Sequence, residues 1–256
     1  MIKLENVNKS FGELKVLENI NIHVPKGEFL VLVGASGCGK STLLNLIAGF
    51  LRPSSGQVFV NDKEVVDVDP QSGMVFQQYA LFPWMTVIEN VAFGLKLRGV
   101  AKKEREAVAM EYINMVGLQG FVDAYPKALS GGMRQRVSIA RVLANDPDVI
   151  LLDEPFAALD AMTRQVLQEQ LVKIYEESGK TIVFITHSID EALLLSTRVI
   201  VLGSRPGRVV QEIHNDLPHP RNAQVQLSGR FNELKAQIWD TVQVEVMKSL
   251  ELSDGR

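Results

Sequence analysis

The segment VLVGASGCGKSTLLNLIAG, residues 31–49, interrupts an apolar sequence with three closely spaced glycines and a lysine. Residues 34–41 match G-x-x-x-x-G-K-[ST], after a run typical of a buried strand and before a helical pattern. Because glycine tolerates unusual backbone conformations, such a loop can turn successive backbone N–H groups towards an anion. Lys40 is expected to reach the terminal phosphates of a nucleotide, and Ser41 to offer its hydroxyl to Mg²⁺. A glycine-rich turn without a ligand is the alternative interpretation.

The helix after this loop is expected to begin at Lys40 or Ser41 and to add the positive end of its dipole to the phosphate site. A side chain at Gly37 or Gly39 is expected to crowd the space that the phosphate occupies. Cys38 lies inside the loop. It is either a small neutral filler or a thiol whose alkylation obstructs ATP and which bound ATP protects.

A second apolar run, residues 149–154, reads VILLDE and ends in two carboxylates. Ligands of parallel sheets collect at the carboxyl ends of the strands, where these two acids lie. Asp153 is expected to bind Mg²⁺ through water, and Glu154 to orient or deprotonate an attacking water. Two acids that merely cap the next element are the alternative.

Two further polar residues follow apolar runs. His187 ends TIVFITH and is expected to contact a γ-phosphate, although a structural histidine is an equally simple interpretation. Gln77 follows GMVF, from where it can contact Mg²⁺ or water. A glutamine at the end of a strand carries little information by itself.

The sequence LSGGMRQR, residues 129–136, is a second glycine-rich turn that leads into a helical pattern. Ser130 is expected to cap that helix. Gly131 and Gly132 leave its first N–H groups open to an anion. One nucleotide needs only one such loop, so the second is expected to face a nucleotide held by another copy of the chain.

Apolar runs and helical patterns alternate along the chain, which predicts a mostly parallel sheet with helices. Strands are expected within residues 2–24, at 29–34, 57–66, 73–76, 149–153 and 181–187, and as a hairpin over 199–213; helices are expected at 42–49, within 87–116, and at 132–145, 161–178 and 189–196. The tail from residue 217 is polar and is expected to be helical in part.

Composition sets the broad class of protein. The 256 residues are 46% hydrophobic and 22% charged, as in ordinary packed proteins, and the formal net charge is −3. A basic excess would mark a nucleic-acid binder, so no nucleic-acid partner is expected. The chain shows no apolar leader and no apolar run near ~18 residues, the length that suggests a membrane span. Its single cysteine excludes an intrachain disulfide and fits a reducing compartment.

Taken in order, these motifs resemble those of the ATP-binding subunits of ABC transporters over nearly the whole chain. The matching motifs are GASGCGKST as Walker A, Gln77 as the Q-loop, LSGGMRQR as the signature, VILLDE as Walker B, Ala158-Leu159-Asp160 as the D-loop and His187 as the switch histidine. One departure is visible, because Met133 replaces the glutamine of the usual LSGGQ. That change places in doubt only the contact made by the glutamine.

The resemblance implies an α/β P-loop NTPase of the ABC ATPase type, with a mixed sheet core, an inserted α-helical lobe and an N-terminal antiparallel β part. It implies one ABC domain over residues 1–256, with a RecA-like core at about 1–86 and 146–216, a helical lobe at about 87–145 and a short helical tail at 217–256. The implied cofactors are ATP and Mg²⁺.

The resemblance also assigns roles to individual residues. The implied ATP contacts are Phe11, stacked on adenine, Val16 close by, the loop residues Gly34, Ala35, Ser36, Gly37, Cys38, Gly39, Lys40, Ser41 and Thr42, and Ser130, Gly131 and Gly132 of the signature. The implied metal contacts are Ser41, Gln77 and Asp153. The implied catalytic residues are Glu154 as general base, His187, Lys40 and Gln77.

In the implied mechanism two subunits, a homodimer or a pair with a paralogous subunit, face each other head to tail. Each ATP lies between the glycine loop of one subunit and Ser130 of the other. ATP closes the pair and hydrolysis lets it reopen.

The stretch QQYALFPWMTVIENVAFGLKLRG, residues 77–99, carries large apolar residues in a segment expected near the surface. The resemblance places the contact with separate integral membrane permease subunits here, whereas packing within the lobe is the alternative. LFPW, GLKLRG, DEPFAALDA, SRPGRV and LPHPR resemble bacterial importers of nitrate, sulfonate, taurine and related solutes. These work with an extracytoplasmic solute-binding protein, so we expect a peripheral protein on the cytoplasmic face of the cell membrane.

Three other functions compete with import. An exporter or lipid-handling ABC ATPase also uses separate membrane subunits, and only the resemblance disfavours it. A soluble ABC protein that acts on ribosomes or DNA usually carries two cassettes, coiled coils or basic arms, none of which is visible here. A metabolic kinase shares the phosphate loop but has no use for LSGGMRQR.

Overall fold

The computed structural model describes residues 1–219, 221 and 223–254 and shows alternating strands and helices. In chain order they are β1 Ile2–Phe11, β2 Leu14–Val24, β3 Phe29–Gly34, α1 Lys40–Ile47, β4 Ser55–Val60, β5 Lys63–Glu64, β6 Ser72–Val75, α2 Val87–Val91, α3 Phe93–Leu97, α4 Lys102–Met115, α5 Gly131–Leu143, β7 Val149–Asp153, α6 Ala161–Ser178, β8 Thr181–Ile185, α7 Ile189–Leu195, β9 Arg198–Gly203, β10 Arg208–His214, α8 Ala223–Gln226 and α9 Gly229–Asp254.

The chain forms two compact units. The first unit comprises Met1–Asp69 and the described part of Gly179–Arg256, and the second comprises Pro70–Ser178. None of the helices in the described ranges is both long and apolar enough to cross a membrane.

The first unit contains an antiparallel sheet in the order β2-β1-β4-β5 and the strands β10-β9-β3-β8 of a mixed sheet. In that mixed sheet β3 pairs in parallel with both β8 and β9, and β10 returns antiparallel to β9. Every residue of β3 and β8 is buried, as expected for central strands covered on both faces. These buried strands hold the ends of their following loops in fixed positions.

The second unit combines a helical region with the parallel pair β6 and β7. A capping box begins α2, because the Thr86 side chain accepts a hydrogen bond from the Glu89 N–H and the Glu89 carboxylate accepts one from the Thr86 N–H. Buried Asn90 hydrogen-bonds to the backbone of Phe82, Met85 and Thr86 and so fixes the segment before α2.

The structure confirms the mixed α/β character and the antiparallel N-terminal sheet, and it differs in several boundaries. The strand expected at 57–66 is divided into β4 and β5 around a turn at Asn61 and Asp62, both with positive φ. The tail is more helical than expected, since α9 alone covers 26 residues. Residues 220, 222, 255 and 256 of the predicted tail, and with them part of LPHPR, lie outside the described residues.

Candidate nucleotide site

The glycine loop, residues 34–42, connects the end of β3 to the start of α1 in the first unit. Gly37 and Gly39 have φ angles of 77° and 94°, in the left-handed region where glycine is favoured. Lys40 is the first residue of α1, so Gly39 and the first turn of the helix bring N–H groups to the end of the loop. Gly34, Cys38 and Lys40 are buried, Ala35, Gly39, Ser41 and Thr42 are half-buried, and Ser36 and Gly37 are exposed.

Lys40 is only 5% exposed, and its ammonium group lies inside the loop. Its Nζ donates hydrogen bonds to the carbonyl oxygens of Gly34 at 2.9 Å and Ala35 at 3.0 Å. A buried cation needs partners of this kind, because an unpaired charge away from water is costly. The loop therefore holds a positive charge against two of its own backbone carbonyl groups.

Two loop glycines have structural reasons of their own beside the expected crowding of phosphate. A Cβ built at Gly39 would lie 2.6 Å from Leu17 Cδ2, on the protein side of the loop. A Cβ built at Gly37 meets no protein atom within 4 Å, and within the protein the positive φ is what disfavours a side chain there. Packing against β2 at Gly39 and backbone geometry at Gly37 therefore favour glycine even before a phosphate is considered.

Cys38 contributes its backbone, not its side chain, to the surface of the loop. Its thiol is fully buried, and Sγ lies 3.7 Å from Lys40 Nζ. Burial raises the pKa of the Cys38 thiol above its ordinary value, although the nearby Lys40 charge opposes this effect. The thiol fills the space beneath the loop, which is the filler interpretation, and alkylation of the closed loop is not expected.

Phe11 and Val16 lie at the β1–β2 turn of the same unit. Phe11 is 48% exposed at the end of β1, with Lys9 Nζ 4.9 Å from its ring centroid. Val16 is half-buried on β2, and its Cγ1 would lie 3.4 Å from a Cβ at Gly39. Val16 therefore adjoins the glycine loop, and Phe11 offers a ring to solvent.

His187 is exposed two residues after the end of β8, and its neighbours in the chain are joined by hydrogen bonds. The hydroxyl of buried Thr186 donates to the carboxylate of Glu191 and accepts from the Ser188 N–H at 3.0 Å. The Ser188 hydroxyl in turn accepts from the Glu191 N–H and caps α7. This network fixes the backbone that presents His187.

In the second unit the carboxylates at the end of β7 differ in environment. Asp153 is 5% exposed, whereas Glu154 is half-buried with a left-handed φ of 47°. Gln77 Nε2 lies 3.4 Å from Glu154 Oε2, so the structure brings these two predicted residues together. A non-glycine residue in this conformation stores backbone strain of about 1 kcal/mol or more, a feature common at functional sites.

The signature turn forms the expected helix start. The Ser130 hydroxyl accepts a hydrogen bond from the Met133 N–H at 3.2 Å and caps α5. A Cβ at Gly132 would lie 3.3 Å from the carbonyl oxygen of Ala158. The signature therefore lies against the segment that precedes α6, where the Asp160 carboxylate accepts from the Thr163 N–H at 3.0 Å. Hydrogen bonds from Thr163 lower the pKa of Asp160 below its ordinary value.

Tyr79 is a neighbour of the signature that the sequence did not predict. A Cβ at Gly131 would lie 2.9 Å from the Tyr79 hydroxyl, and the Arg134 guanidinium lies 5.2 Å from the Tyr79 ring centroid. Arg141 on the same helix donates to the carbonyl oxygen of Ala80 at 2.7 Å. Arg134 and Arg141 thus hold the segment after Gln77 against α5. Arg134 and Arg141 are seven residues apart and so share one face of α5. This spacing is the sequence feature that could have predicted the contact.

The apolar residues after Gln77 divide into buried and exposed groups. Phe82 is half-buried, with its centroid 4.5 Å from that of Phe93, whereas Trp84 is 69% exposed. Beside them, α2, α3 and α4 line an open groove of about 210 Å³ whose walls carry Ile88, Phe93 and Lys102 among others. The two alternatives for these rings, core packing and surface exposure, both occur.

The predicted site residues thus form two groups, each inside one unit. Phe11, Val16, the glycine loop and His187 belong to the first unit, and Gln77, Ser130–Gly132, Asp153 and Glu154 belong to the second. Within the second unit Gln77 meets Glu154, and the signature meets Tyr79 and Ala158.

Comparison with known proteins agrees with these motifs. Residues 17–157 match the family model described as ABC transporter. An uncharacterised ABC transporter ATP-binding protein of Methanocaldococcus jannaschii is 51% identical over 98% of this chain and 94% of its own length. The taurine import ATP-binding protein TauB of Rhizobium johnstonii is 46% identical over 93% of this chain and 95% of its own.

A solved structure shows the same fold. It is a dimeric post-hydrolysis state of an ATP-binding cassette bound to ADP and Pi, 38% identical, with a TM-score of 0.77 over 84% of this chain and 98% of that one. Identity at this level over nearly complete chains extends beyond the short motifs to the fold that carries them. The chain therefore belongs to the ABC transporter family and is an ATP-binding cassette with ATPase activity.

Proposed function

We propose that the glycine loop binds the phosphates of ATP and that Lys40 neutralises the charge that develops on the γ-phosphate during hydrolysis. The observation that carries this proposal is the buried Lys40 ammonium held by the Gly34 and Ala35 carbonyls at the start of α1. Phosphate oxygens replace these carbonyls as partners of Nζ, and the loop N–H groups bind the remaining oxygens. Phe11 stacks on the adenine, and Val16 contacts it from beside the loop.

Mg²⁺ is the second proposed ligand, and the residues present fit it. Ser41, Gln77 and Asp153 carry oxygen donors, the ligand type that Mg²⁺ prefers, with a single carboxylate among them. In the described ranges, no three His, Cys, Asp or Glu residues cluster as a metal site. When bound, the ion would neutralise phosphate charge, and Asp153 would hold it from the buried end of β7.

Hydrolysis is assigned to residues that accept or orient a proton. Glu154 Oε accepts the proton of the attacking water, and Gln77, 3.4 Å away, orients the carboxylate and the water. His187 contacts the γ-phosphate from the end of β8 and stabilises the charge of the transition state. The Thr186–Glu191 network holds the backbone at His187 so that the contact needs little reorganisation.

The active form is proposed to be a head-to-tail pair, a homodimer or a pair with a paralogous subunit. The related cassette bound to ADP and Pi is described as dimeric. In this chain Ser130 is exposed and the helix N-terminus after it is available to a phosphate from a second subunit. Met133 at the fifth position of the signature uses its N–H to bind Ser130 Oγ, so the substitution leaves the cap intact.

A complementation experiment tests this pairing. Ser130→Arg and Lys40→Ala should each abolish hydrolysis alone, because an arginine blocks the signature and the alanine removes the phosphate contact. Mixed dimers should regain activity, since the glycine loop of the Ser130→Arg chain meets an intact signature on the Lys40→Ala chain. The measurement is phosphate release after mixing the two purified chains.

Ser178→Arg, at the exposed end of α6, is the matched control and should hydrolyse ATP at the parent rate. If each site lay within one chain, every site in the mixture would carry a defect. Failure of the mixture to exceed the two single variants would therefore count against the shared site.

The permease is proposed to dock on the second unit, at exposed Trp84 and the groove between α2, α3 and α4. An apolar ring beside a groove with mixed charges is the type of surface that receives a helix of a partner. Photo-crosslinking from position 84 in native membranes tests the assignment. A crosslinker at exposed Phe121 is the control, and equal capture of membrane subunits from both positions would contradict it.

The complete transporter is proposed to import a small anion such as nitrate, a sulfonate or taurine, with a solute-binding protein outside the membrane and this chain on the cytoplasmic face. The support is the relative named as a taurine import ATP-binding protein, 46% identical over 93% of the chain. Uptake of labelled taurine and nitrate by cells with and without this chain tests the solute class. Unchanged uptake of every such anion would reject it.

A further inference from the structure

We propose that the last helix, α9, positions the glycine loop for ATP through the buried carboxylate of Glu245. The connection runs from Glu245 to the hairpin turn, residues 204–207, between β9 and β10, and from this turn to the underside of the loop. All of its members lie in the first unit. The inference rests on the proposed assignment of the glycine loop as the phosphate site.

Glu245 on α9 is unusually buried for an acidic residue, because its side chain is only 3% exposed. Arg208 Nη2 lies 3.3 Å from Glu245 Oε2, and Lys248 Nζ lies 2.8 Å from Oε1. The carboxylate also touches the end of β9, where a Cβ on Gly203 would lie 2.5 Å from Oε2. Gly203 and Arg208 are paired across the hairpin, so Glu245 rests on the base of the hairpin turn.

The other side of the hairpin turn supports the glycine loop. The Gly207 N–H donates to the Val16 carbonyl at 2.8 Å, and the Glu18 N–H donates to the Gly207 carbonyl at 2.9 Å. A Cβ at Gly207 would overlap the carbonyl oxygen of Cys38, so turn and loop are in direct contact. The same hairpin supports the start of the loop, because a Cβ at Gly34 would overlap the carbonyl oxygen of Leu202.

The helix α9 also reaches the element that follows His187. Lys235 Nζ lies 2.7 Å from Asp190 Oδ1, in the first turn of α7. Phe231, Leu234 and Ile238 on α9 are buried, so the helix is packed as well as paired. One helix thus contacts the supports of two predicted ATP-binding parts, the glycine loop and His187.

The geometry explains why a charge is used at position 245. Without Arg208 the buried Glu245 carboxylate would keep only Lys248 as a charged partner among the described residues, so the contact favours one position of Arg208. Since Arg208 directly follows Gly207, a displaced Arg208 shifts the backbone that touches Cys38 and Val16. The backbone N–H groups of the glycine loop, which would donate to the phosphates, tolerate little displacement, because hydrogen bonds weaken steeply with poor geometry.

Glu245→Gln tests this role in the full chain, because glutamine keeps the shape and removes the charge. We expect the Kd for MgATP to rise about fivefold, the range of coupling through contacting networks, while kcat changes by less than about twofold. Amide exchange of residues 34–39 should become faster. Arg208→Gln, whose side chain is 43% exposed, should reproduce both effects if Glu245→Gln does not fold. Arg208→Lys, which keeps the charge, should restore most of the affinity.

Two control variants separate positioning from general destabilisation. Glu233→Gln removes an exposed carboxylate of the same helix and should bind MgATP like the parent. Ile238→Val loosens the buried face of α9 and should lower the thermal midpoint without raising the Kd. The double variant Glu245→Gln with Arg208→Gln should be no weaker in affinity than either single variant, because the two act through one contact.

An unchanged Kd in Glu245→Gln or Arg208→Gln would overturn the inference, as would an equal rise of Kd in Ile238→Val. Additive losses in the double variant would also overturn it. Lys40→Ala separates these results from the site assignment. If Lys40→Ala keeps its ATP affinity, the proposed phosphate site is wrong; if it loses affinity while Glu245→Gln does not, only the role of α9 is wrong.

Discussion

Glu154→Gln is expected to bind ATP with nearly the affinity of the parent and to hydrolyse it about 10²- to 10⁴-fold more slowly, the usual contribution of a positioned general base. Glutamine keeps the length of the side chain and the contact near Gln77, but its amide cannot accept the proton of the attacking water. ATP should therefore accumulate on the protein and hold two chains together. Single-turnover hydrolysis and light scattering with MgATP measure the two effects.

The backbone at Glu154 should be little affected, because its left-handed φ of 47° does not depend on the carboxylate charge. Glu111→Gln, an exposed acid on α4, is the matched control and should hydrolyse at the parent rate. A Glu154→Gln protein that turns over normally would remove Glu154 from its assigned role. Slow hydrolysis without a trapped dimer would support Glu154 as the general base but would contradict the proposal that ATP closes two chains into a pair.

Lys40→Ala is expected to weaken MgATP binding about 10- to 100-fold, since one charge-assisted hydrogen bond contributes roughly 1.5–3 kcal/mol. The change also removes the hydrogen bonds to the Gly34 and Ala35 carbonyls, so the empty loop should exchange its amide protons faster. Isothermal titration with MgATP gives the affinity, and hydrogen exchange reports on the loop.

Lys102→Ala, at the exposed start of α4, is the control for loss of one positive charge. It should bind MgATP like the parent, because a solvated lysine outside the loop makes no phosphate contact. Equal affinities of the Lys40→Ala protein and the parent would show that phosphate binds elsewhere. A uniform fall in both lysine variants would indicate only a general attraction between the chain and the nucleotide.

Much of the fold could be predicted because its signals are local. The apolar runs at residues 29–34 and 149–153 are buried strands, and Ser130 caps α5 as its type and position indicate. The glycine loop follows from a contiguous motif whose residues act through their own backbone. Such features need no knowledge of distant parts of the chain.

The remaining features arise from contacts between distant residues. Glu245 lies in a polar tail segment and looks like an ordinary exposed acid, whereas the folded chain buries it against Gly203 and Arg208. The stacking of Arg134 on Tyr79 joins residues 55 positions apart in the sequence. The local pattern of residue types does not encode such a pairing. The packing of Gly39 against Leu17 is likewise invisible in the sequence, because Leu17 lies on β2, 22 residues before it.

The labelling rate of the buried thiol beneath the glycine loop would report how often that loop opens. Cys38 is the single cysteine of the chain, so any incorporated label reports one position. A reagent reaches Sγ only when the segment lifts from Gly207 and Leu17, and the labelling rate then equals the opening frequency multiplied by the fraction captured. Bound nucleotide should slow labelling by holding the segment down. A labelling rate that is the same with and without saturating MgATP would show that nucleotide does not hold the loop closed.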